Sequence, residues 1–375
     1  MRRSRHKTVQ AVSATVRRCG LIPDGSRVLA AVSGGPDSVA LGSILLELSG
    51  SRGGAGPQGP AGPGARRASG RAAGGRGRFE VVLGHLNHGL RRTAGRDEAF
   101  VRELARQWGV GVVVERADVA SEASRRGQGV EEAARSVRYE FLRRAAEQCG
   151  ADRVALGHHR DDQSETVLMN FLRGSGVRGL SGMPLERPIA PDSGIVVIRP
   201  LLEVTREEVM AYLSSRGLES MEDETNRSMA MVRNRVRHKL LPLLERDYAP
   251  GLGSRLASLA SQMGRLQRHV ASEAALAWDE AVWSATSRSV EFRIEVLRGC
   301  GPVVCGELIL AALEHLGAGR RGIGWEHLES LWRTVSGAVG GQRLELPEGV
   351  VGRRRGGRLR LSRGVSGGSQ RGCHY

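Results

Sequence analysis

Four times between Arg27 and Arg173 a short apolar run gives way to a segment of helical length and composition. The runs RVLAAVS, FEVVLGHLNHG, VGVVVE and DRVALGHH are followed by VALGSILLEL, Gly95–Trp108, Val130–Cys149 and Asp161–Arg173. When strand-like runs alternate with helices in this way, the economical solution is a parallel sheet covered by helices on both faces. The expected fold class is therefore α/β, a doubly wound parallel sheet, completed by the apolar run IVVIRPLL and the helix-like TREEVMAYLSSRG near Gly217.

This domain is expected to span 1–220. Within it, residues 50–78 are rich in Gly, Ala, Pro and Arg with no acid to pair the arginines, and read as a disordered basic insertion. From 221 to 340 the chain changes character, with helical stretches over about Leu252–Trp283 and Pro302–Val335 that imply a second, mostly helical domain. The end, 341–375, reads as two or three short strands with glycine turns and a flexible basic tail.

Composition narrows the partners. Among 375 residues there are 56 Lys+Arg against 40 Asp+Glu, a net charge of +16 and a pI near 11.0, which points to a polyanion such as nucleic acid or an anionic surface. Aromatics make up 4%, too few for a single-strand binder that relies on base stacking alone. No run approaches the roughly 20 apolar residues of a membrane span. The start, MRRSRHKTVQAVSATVRRCG, is basic but lacks the apolar core of a secretory signal, and an N-terminal helix is expected there rather than a transit peptide. The five cysteines are scattered without a CxxC pair, which argues against a disulfide framework, a zinc ribbon or an iron–sulfur cluster and for the reducing cytoplasm.

The strongest chemical signal is Ser33-Gly34-Gly35-Pro36-Asp37-Ser38, placed between a strand and a helix. Glycines admit close approach of a phosphate, the helix N-terminus offers free N–H groups, and two hydroxyls add donors, so the segment reads as a pyrophosphate cradle. It is neither a Walker A loop nor a GxGxxG fingerprint. The bland alternative is a tight turn. A second loop, LGHHRDDQSET, follows the fourth strand and should open into the same crevice. Its Asp162 and Glu165 lie three apart on one helix face, as a hard-cation site or an acid/base pair requires, although acids in a first turn also serve as caps. A third loop, HLNHGLRR, carries His85 and His88; with His158 and His159 it invites a zinc reading, but donors beside a phosphate are the simpler use. In EEAARSVRY, Arg135 and Tyr139 stand one turn apart, which an ordinary solvated helix also explains. In RNRVRHK, Arg233 and Arg237 share a helix face and with Arg235 offer a grip on phosphates, against a default of solvated surface.

Taken in order, SGGPDS, HLNHGLR, EEAARSVRYEFL, HHRDDQSETVLMNFLRGSGVRGLSGM, RPLL, EDETN and RNRVRHKLLPLL resemble the tRNA(Ile)-lysidine synthase family over about 27–245. LELPEGVV and the basic end are similar to the family's later region, while the Gly/Arg-rich insertion and a short end depart from its pattern. The resemblance implies an N-type ATP pyrophosphatase that uses ATP and Mg²⁺ to adenylate the wobble cytidine in the CAU anticodon of isoleucine tRNA. Free L-lysine then displaces AMP to give lysidine, which pairs with A. The resemblance implies ATP binding at Ser33, Gly34, Gly35, Pro36, Asp37 and Ser38. It implies catalytic roles for Asp37, Asp162 and Glu165, with Asp37 and Asp162 handling Mg²⁺ and the lysine amine and His88 or His159 near phosphate or base. Arg135 and Tyr139 would border the lysine or cytidine pocket, and Arg233, Arg235 and Arg237 would take tRNA phosphates.

Two other readings compete. A tRNA thiolase would share the loop but carry paired cysteines, which this chain lacks. A noncatalytic RNA-binding protein would suit the pI, but carboxylates in its crevice would repel RNA unless neutralised. No membrane partner is expected, and the sequence leaves the oligomeric state open.

Overall fold

The computed structural model describes residues 6–50, 78–89, 94–221, 231–319, 322–337 and 343–363. Nearly all of the expected basic insertion, Arg91 and Arg92 of the third loop, the EDETN motif and the tail after 363 lie outside the described residues. The chain divides into two compact units, one comprising Met1–Met169 with Met183–Ala257 and the other Asn170–Gly182 with Ser258–Tyr375. The division after Ala257, rather than at 220, leaves the whole RNRVRHK segment in the first unit.

The first unit runs α1 (Lys7–Arg18), β1 (Arg27–Ala31), α2 (Pro36–Ser49), β2 (Glu80–Asn87), α3 (Ala94–Trp108), β3 (Val112–Arg116), α4 (Val119–Arg126), α5 (Val130–Cys149), β4 (Arg153–Ala155), α6 (Arg160–Leu172), the single turn α7 (Val177–Leu180), β5 (Glu186–Pro188), β6 (Val196–Ile198) and α8 (Arg206–Arg216). Residues of α7 and the end of α6 belong to the second unit. The sheet order is β3-β2-β1-β4-β6-β5, parallel except for β5. Val28, Leu29 and Ala30 of the central β1 are fully buried, because helices cover both sides. One apolar cluster gathers α1, α2, α3 and α8 around Leu41, Ile44 and Tyr212, and the other gathers α4 and α5 around Val137, Phe141 and Leu142. This is the doubly wound class expected from the alternation. The alternation did not foretell α4 or the antiparallel edge strand β5.

The strands flanking β1 are β2 and β4, so the chain order reverses there, and the carboxyl ends of β1 and β4 part to open a crevice. A helical run then closes the unit: α9 (Val232–Arg235), a π turn over Val236–Leu240, and α10 (Leu241–Asp247).

After α11 (Leu252–Ala281), the second unit continues through the hairpin β7 (Val282–Thr286) and β8 (Ser289–Arg293), helices α12 (Ile294–Gly299), α13 (Gly301–His315) and α14 (Trp325–Ser336), and strands β9 (Arg343–Leu346), β10 (Val350–Arg355) and β11 (Arg358–Arg363). The five strands form one antiparallel sheet, β7-β8-β11-β10-β9. Phe292, Leu308, Ile309, Leu331, Leu359 and Leu361 share its core. The C-terminal strands are therefore part of this unit's own sheet and core, not a separate segment appended to a helical domain. Among the described residues, no helix is long and apolar enough to cross a membrane.

Candidate active site in the crevice of the parallel sheet

The SGGPDS segment forms the β1–α2 turn. Gly34 has φ +97°, which admits the turn only because the residue lacks a Cβ. The Ser38 hydroxyl donates to the Gly35 carbonyl at 2.8 Å and accepts the Ser33 N–H at 3.1 Å, drawing the loop into a ring around the helix start. Pro36 opens the helix and no side chain caps it, so its first turn is left for an anion. The loop after β4 comes close because Gly157 faces the backbone of Asp37; a Cβ there would stand 3.1 Å from the Asp37 carbonyl.

Asp37, on the first turn of α2, faces that loop. Its Oδ2 lies 3.4 Å from the Arg206 guanidinium and 3.7 Å from His159 Nε2, while its Oδ1 is buried with no hydrogen-bond partner. Burial raises the Asp37 carboxyl above its ordinary range, a shift that His159, Arg206 and Arg237 oppose. His159 is 1% exposed. Burial pushes its pKa down, but Asp161, Asp162 and Asp37 outweigh that and leave it raised. Its neighbour His158 is held neutral, pushed down to about 3 by burial.

Asp162 and Glu165 sit on one face of α6, as their spacing requires, and both are buried. Their partners are the arginines that the sequence pattern assigned to tRNA phosphates. Arg233 donates to Glu165 Oε2 at 2.9 Å and to Asp162 Oδ1 at 3.0 Å; Arg237 donates to Glu165 Oε1 at 2.5 Å and Asp162 Oδ1 at 2.6 Å. The shared helix face of the two arginines was legible, but what it faces was not. Two buried carboxylates need counter-charges more than a solvated surface does. Only Arg235 of the three is exposed.

The fit to a hard cation is partial. Asp37 Oδ1 is a buried oxygen without a partner, whereas Asp162 Oδ1 accepts from both arginines and Oδ2 accepts the His159 backbone N–H at 3.1 Å. Among the described residues no group of three or more His, Cys, Asp and Glu is gathered to hold a metal ion.

The remaining expected residues divide. His88 ends the β2 loop, which Asn87 fixes by accepting the Gly89 N–H and donating to Glu98. His85 is buried and bonded to the Val32 carbonyl at 2.8 Å, a structural tie between β2 and the end of β1. Arg135 and Tyr139 do meet, with the guanidinium 5.2 Å from the ring centroid. One residue of the crevice, Arg206, is not singled out by the sequence pattern, whereas Asp161 stands in the LGHHRDDQSET loop one helical turn before Glu165. Asp161 accepts the Arg206 N–H at 2.9 Å and so anchors the start of α8 beside Asp37. The Thr205–Glu208 capping box was a readable signal for that helix start, though not for the contact.

The second unit carries its own charged surface. Along β10 and β11, Leu359 and Leu361 point to the core while Arg353, Arg355, Arg358 and Arg360 alternate to the other face. With Trp283 and Arg293 they line a concavity of about 1290 Å³, in which the Arg358 guanidinium lies 3.9 Å from the Trp283 ring centroid. Glu291 offsets part of this charge, from 3.8 Å and 3.7 Å.

A glycine-rich strand–helix turn with an uncapped helix start, at the switch point of a doubly wound sheet, defines a nucleotide-using domain of the PP-loop class. Residues 5–244 match the PP-loop domain family. A solved structure of the U34-tRNA thiolase NcsA from Methanococcus maripaludis shares the fold, with a TM-score of 0.53 and 18% identity over 70% of this chain and 79% of that one. Among curated proteins, the tRNA(Ile)-lysidine synthase of Geobacter sulfurreducens is 34% identical over 92% of this chain and 68% of its own length. That of Salinispora arenicola is 35% identical over 94% and 95%. The chain belongs to the tRNA(Ile)-lysidine synthase family.

Proposed function

We propose that this chain forms lysidine at the wobble cytidine of an isoleucine tRNA bearing a CAU anticodon, a carbon–nitrogen ligation driven by ATP. The observation that carries the reading is the pairing, across one crevice, of an uncapped PP loop with a buried carboxylate cluster that begins at Asp37. In the first step the cytidine O2 attacks the α-phosphorus and pyrophosphate leaves. The cradle of Ser33, Gly34, Gly35, Pro36, Asp37 and Ser38 holds the phosphates, and a cationic His159 offsets the charge that develops on the leaving group. In the second step the lysine ε-amine attacks C2 of the adenylated base, AMP departs, and the amine's proton passes to a crevice carboxylate.

Asp37, through its unpartnered Oδ1, would hold Mg²⁺, which would neutralise phosphate charge, whereas both Asp162 oxygens already accept hydrogen bonds. Asp162 and Glu165, bridged by Arg233 and Arg237, shape the amine-binding end of the crevice. The arginine face of the second unit takes the tRNA backbone, and the chain works in the cytoplasm. The test is pyrophosphate release from ATP on addition of this tRNA alone, without lysine. Release that requires the tRNA supports the adenylating reading, and ATP turnover indifferent to tRNA overturns it.

A further inference from the structure

Arg199, in the RPLL motif, is one of the most buried charges in the chain, 2% exposed. Its guanidinium donates to the Pro184 carbonyl at 2.7 Å, but its Nε has no partner. Arg187, from β5, lies 4.7 Å from the centroid of the Tyr139 ring, and Arg135 approaches the same ring at 5.2 Å. The Tyr139 hydroxyl is buried among these groups without a hydrogen bond of ordinary geometry. Burial alone would raise the Tyr139 pKa, but the guanidinia of Arg187, Arg199 and Arg135 lower it. Among the described residues, neither the buried Arg199 nor the half-buried Arg187 has a carboxylate within ion-pair distance, nor does the exposed Arg135, whereas the half-buried Arg126, Arg153, Arg233 and Arg237 each have one. Three guanidinia converging without a counter-charge, one of them desolvated, form a site that lacks its anion.

The chemistry of the surroundings selects the anion. β4 and β6 are parallel neighbours and the Leu156 N–H donates to the Ile198 carbonyl at 2.9 Å, so Arg199, directly after β6, stands at the same edge of the sheet as the His158–Asp162 loop after β4. Asp162 and Glu165 at this edge are already neutralised by Arg233 and Arg237, so the charge left without a partner is that of the arginines, which suits the anionic end of a substrate entering there. Planar guanidinium groups match a carboxylate in a bidentate fashion. We propose that Arg187 and Arg199, with Arg135 and Tyr139, form an oxyanion pocket that takes the α-carboxylate of the amino-acid substrate and thereby selects a free amino acid over a simple amine. The proposal rests on the lysine-ligating reading above.

The experiment compares L-lysine with lysinamide and cadaverine, which keep the reactive amine but lack the carboxylate, in wild type and in Arg187→Gln. Arg187 is only half-buried, so this variant spares the fold better than a change at Arg199. The expected result is that wild type prefers lysine to both analogues by roughly 10- to 100-fold in kcat/KM and that Arg187→Gln loses most of this preference through KM for lysine. Equal use of lysine and lysinamide by wild type overturns the proposal. So does a variant that keeps the preference while its KM for ATP or its tRNA affinity worsens, since the pocket would then hold a phosphate. Pyrophosphate release by wild type with tRNA alone reports the parent reading separately: without it that reading fails, and with it only the carboxylate assignment is at stake.

Discussion

Replacing Arg237 with Met separates two meanings of an arginine in the RNRVRHK segment. Its guanidinium makes three bonds, to Asp162 Oδ1 at 2.6 Å and to the two Glu165 oxygens at 2.5 and 3.0 Å. The Glu165 side chain is 2% exposed, so Arg237→Met leaves a buried carboxylate with only Arg233 beside it. Breaking a buried ion pair by removing one partner costs about 3–5 kcal/mol, and the lower end applies because Arg233 still reaches both acids. For a unit of this size, about 3 kcal/mol lowers Tm by roughly 6–12 °C. The assay is a thermal unfolding scan of Arg237→Met, Glu165→Gln and the double variant, where coupling of about 1–3 kcal/mol is expected. A tRNA phosphate contact would behave differently, with Tm unchanged and the slope of log affinity against log salt reduced by roughly 0.7–0.9. That pattern, or strict additivity of the two substitutions, would refute the assignment of Arg237 to the carboxylate pair.

Three further outcomes are expected. In the second unit, Arg353→Ala with Arg358→Ala should weaken tRNA binding and flatten its salt dependence by roughly 0.7–0.9 for each phosphate no longer neutralised, and identical salt plots for variant and wild type would remove that face from RNA binding. His159 has a raised pKa in the fold, so its contribution to stability is complete below the ordinary value of 6.5 and is lost as pH rises through the folded-state value. His159→Gln should therefore lose less stability than wild type as pH rises above about 6.5, and parallel stability curves would contradict a cationic His159. Gly157→Ala sets a methyl 3.1 Å from the Asp37 backbone, so the PP loop must shift and KM for ATP should rise severalfold; an unaltered KM would mean the loop has slack there.

The parts of the molecule that local chemistry dictates are legible in the sequence. Alternation of apolar runs and helices implied the sheet class, and Ser33–Ser38 announced its turn because Gly34 and Pro36 permit little else. The spacing of Asp162 and Glu165, and of Arg233 and Arg237, correctly placed each pair on one face. What spacing cannot convey is which faces meet. That Arg237 answers Glu165 across 72 positions is a tertiary fact, and so is the approach of Arg187, from β5, to the Tyr139 ring of α5. The hairpin Val282–Arg293 escaped notice because its alternation is short and follows a 30-residue helix whose periodicity dominates. Its partner strand lies far along the chain, as Arg358 pairs with Arg293 and Leu359 with Phe292.

The central claim, that the crevice beginning at Asp37 joins lysine to the wobble cytidine, is tested most directly by incorporation of radiolabelled lysine into unmodified isoleucine tRNA bearing CAU, with ATP and Mg²⁺. Wild type and Asp37→Asn are compared, with initiator methionine tRNA as the control for an identical anticodon. The expected result is label in the isoleucine tRNA only, and its loss in Asp37→Asn. Incorporation that survives in Asp37→Asn, or the absence of label in the wild-type reaction, would contradict it.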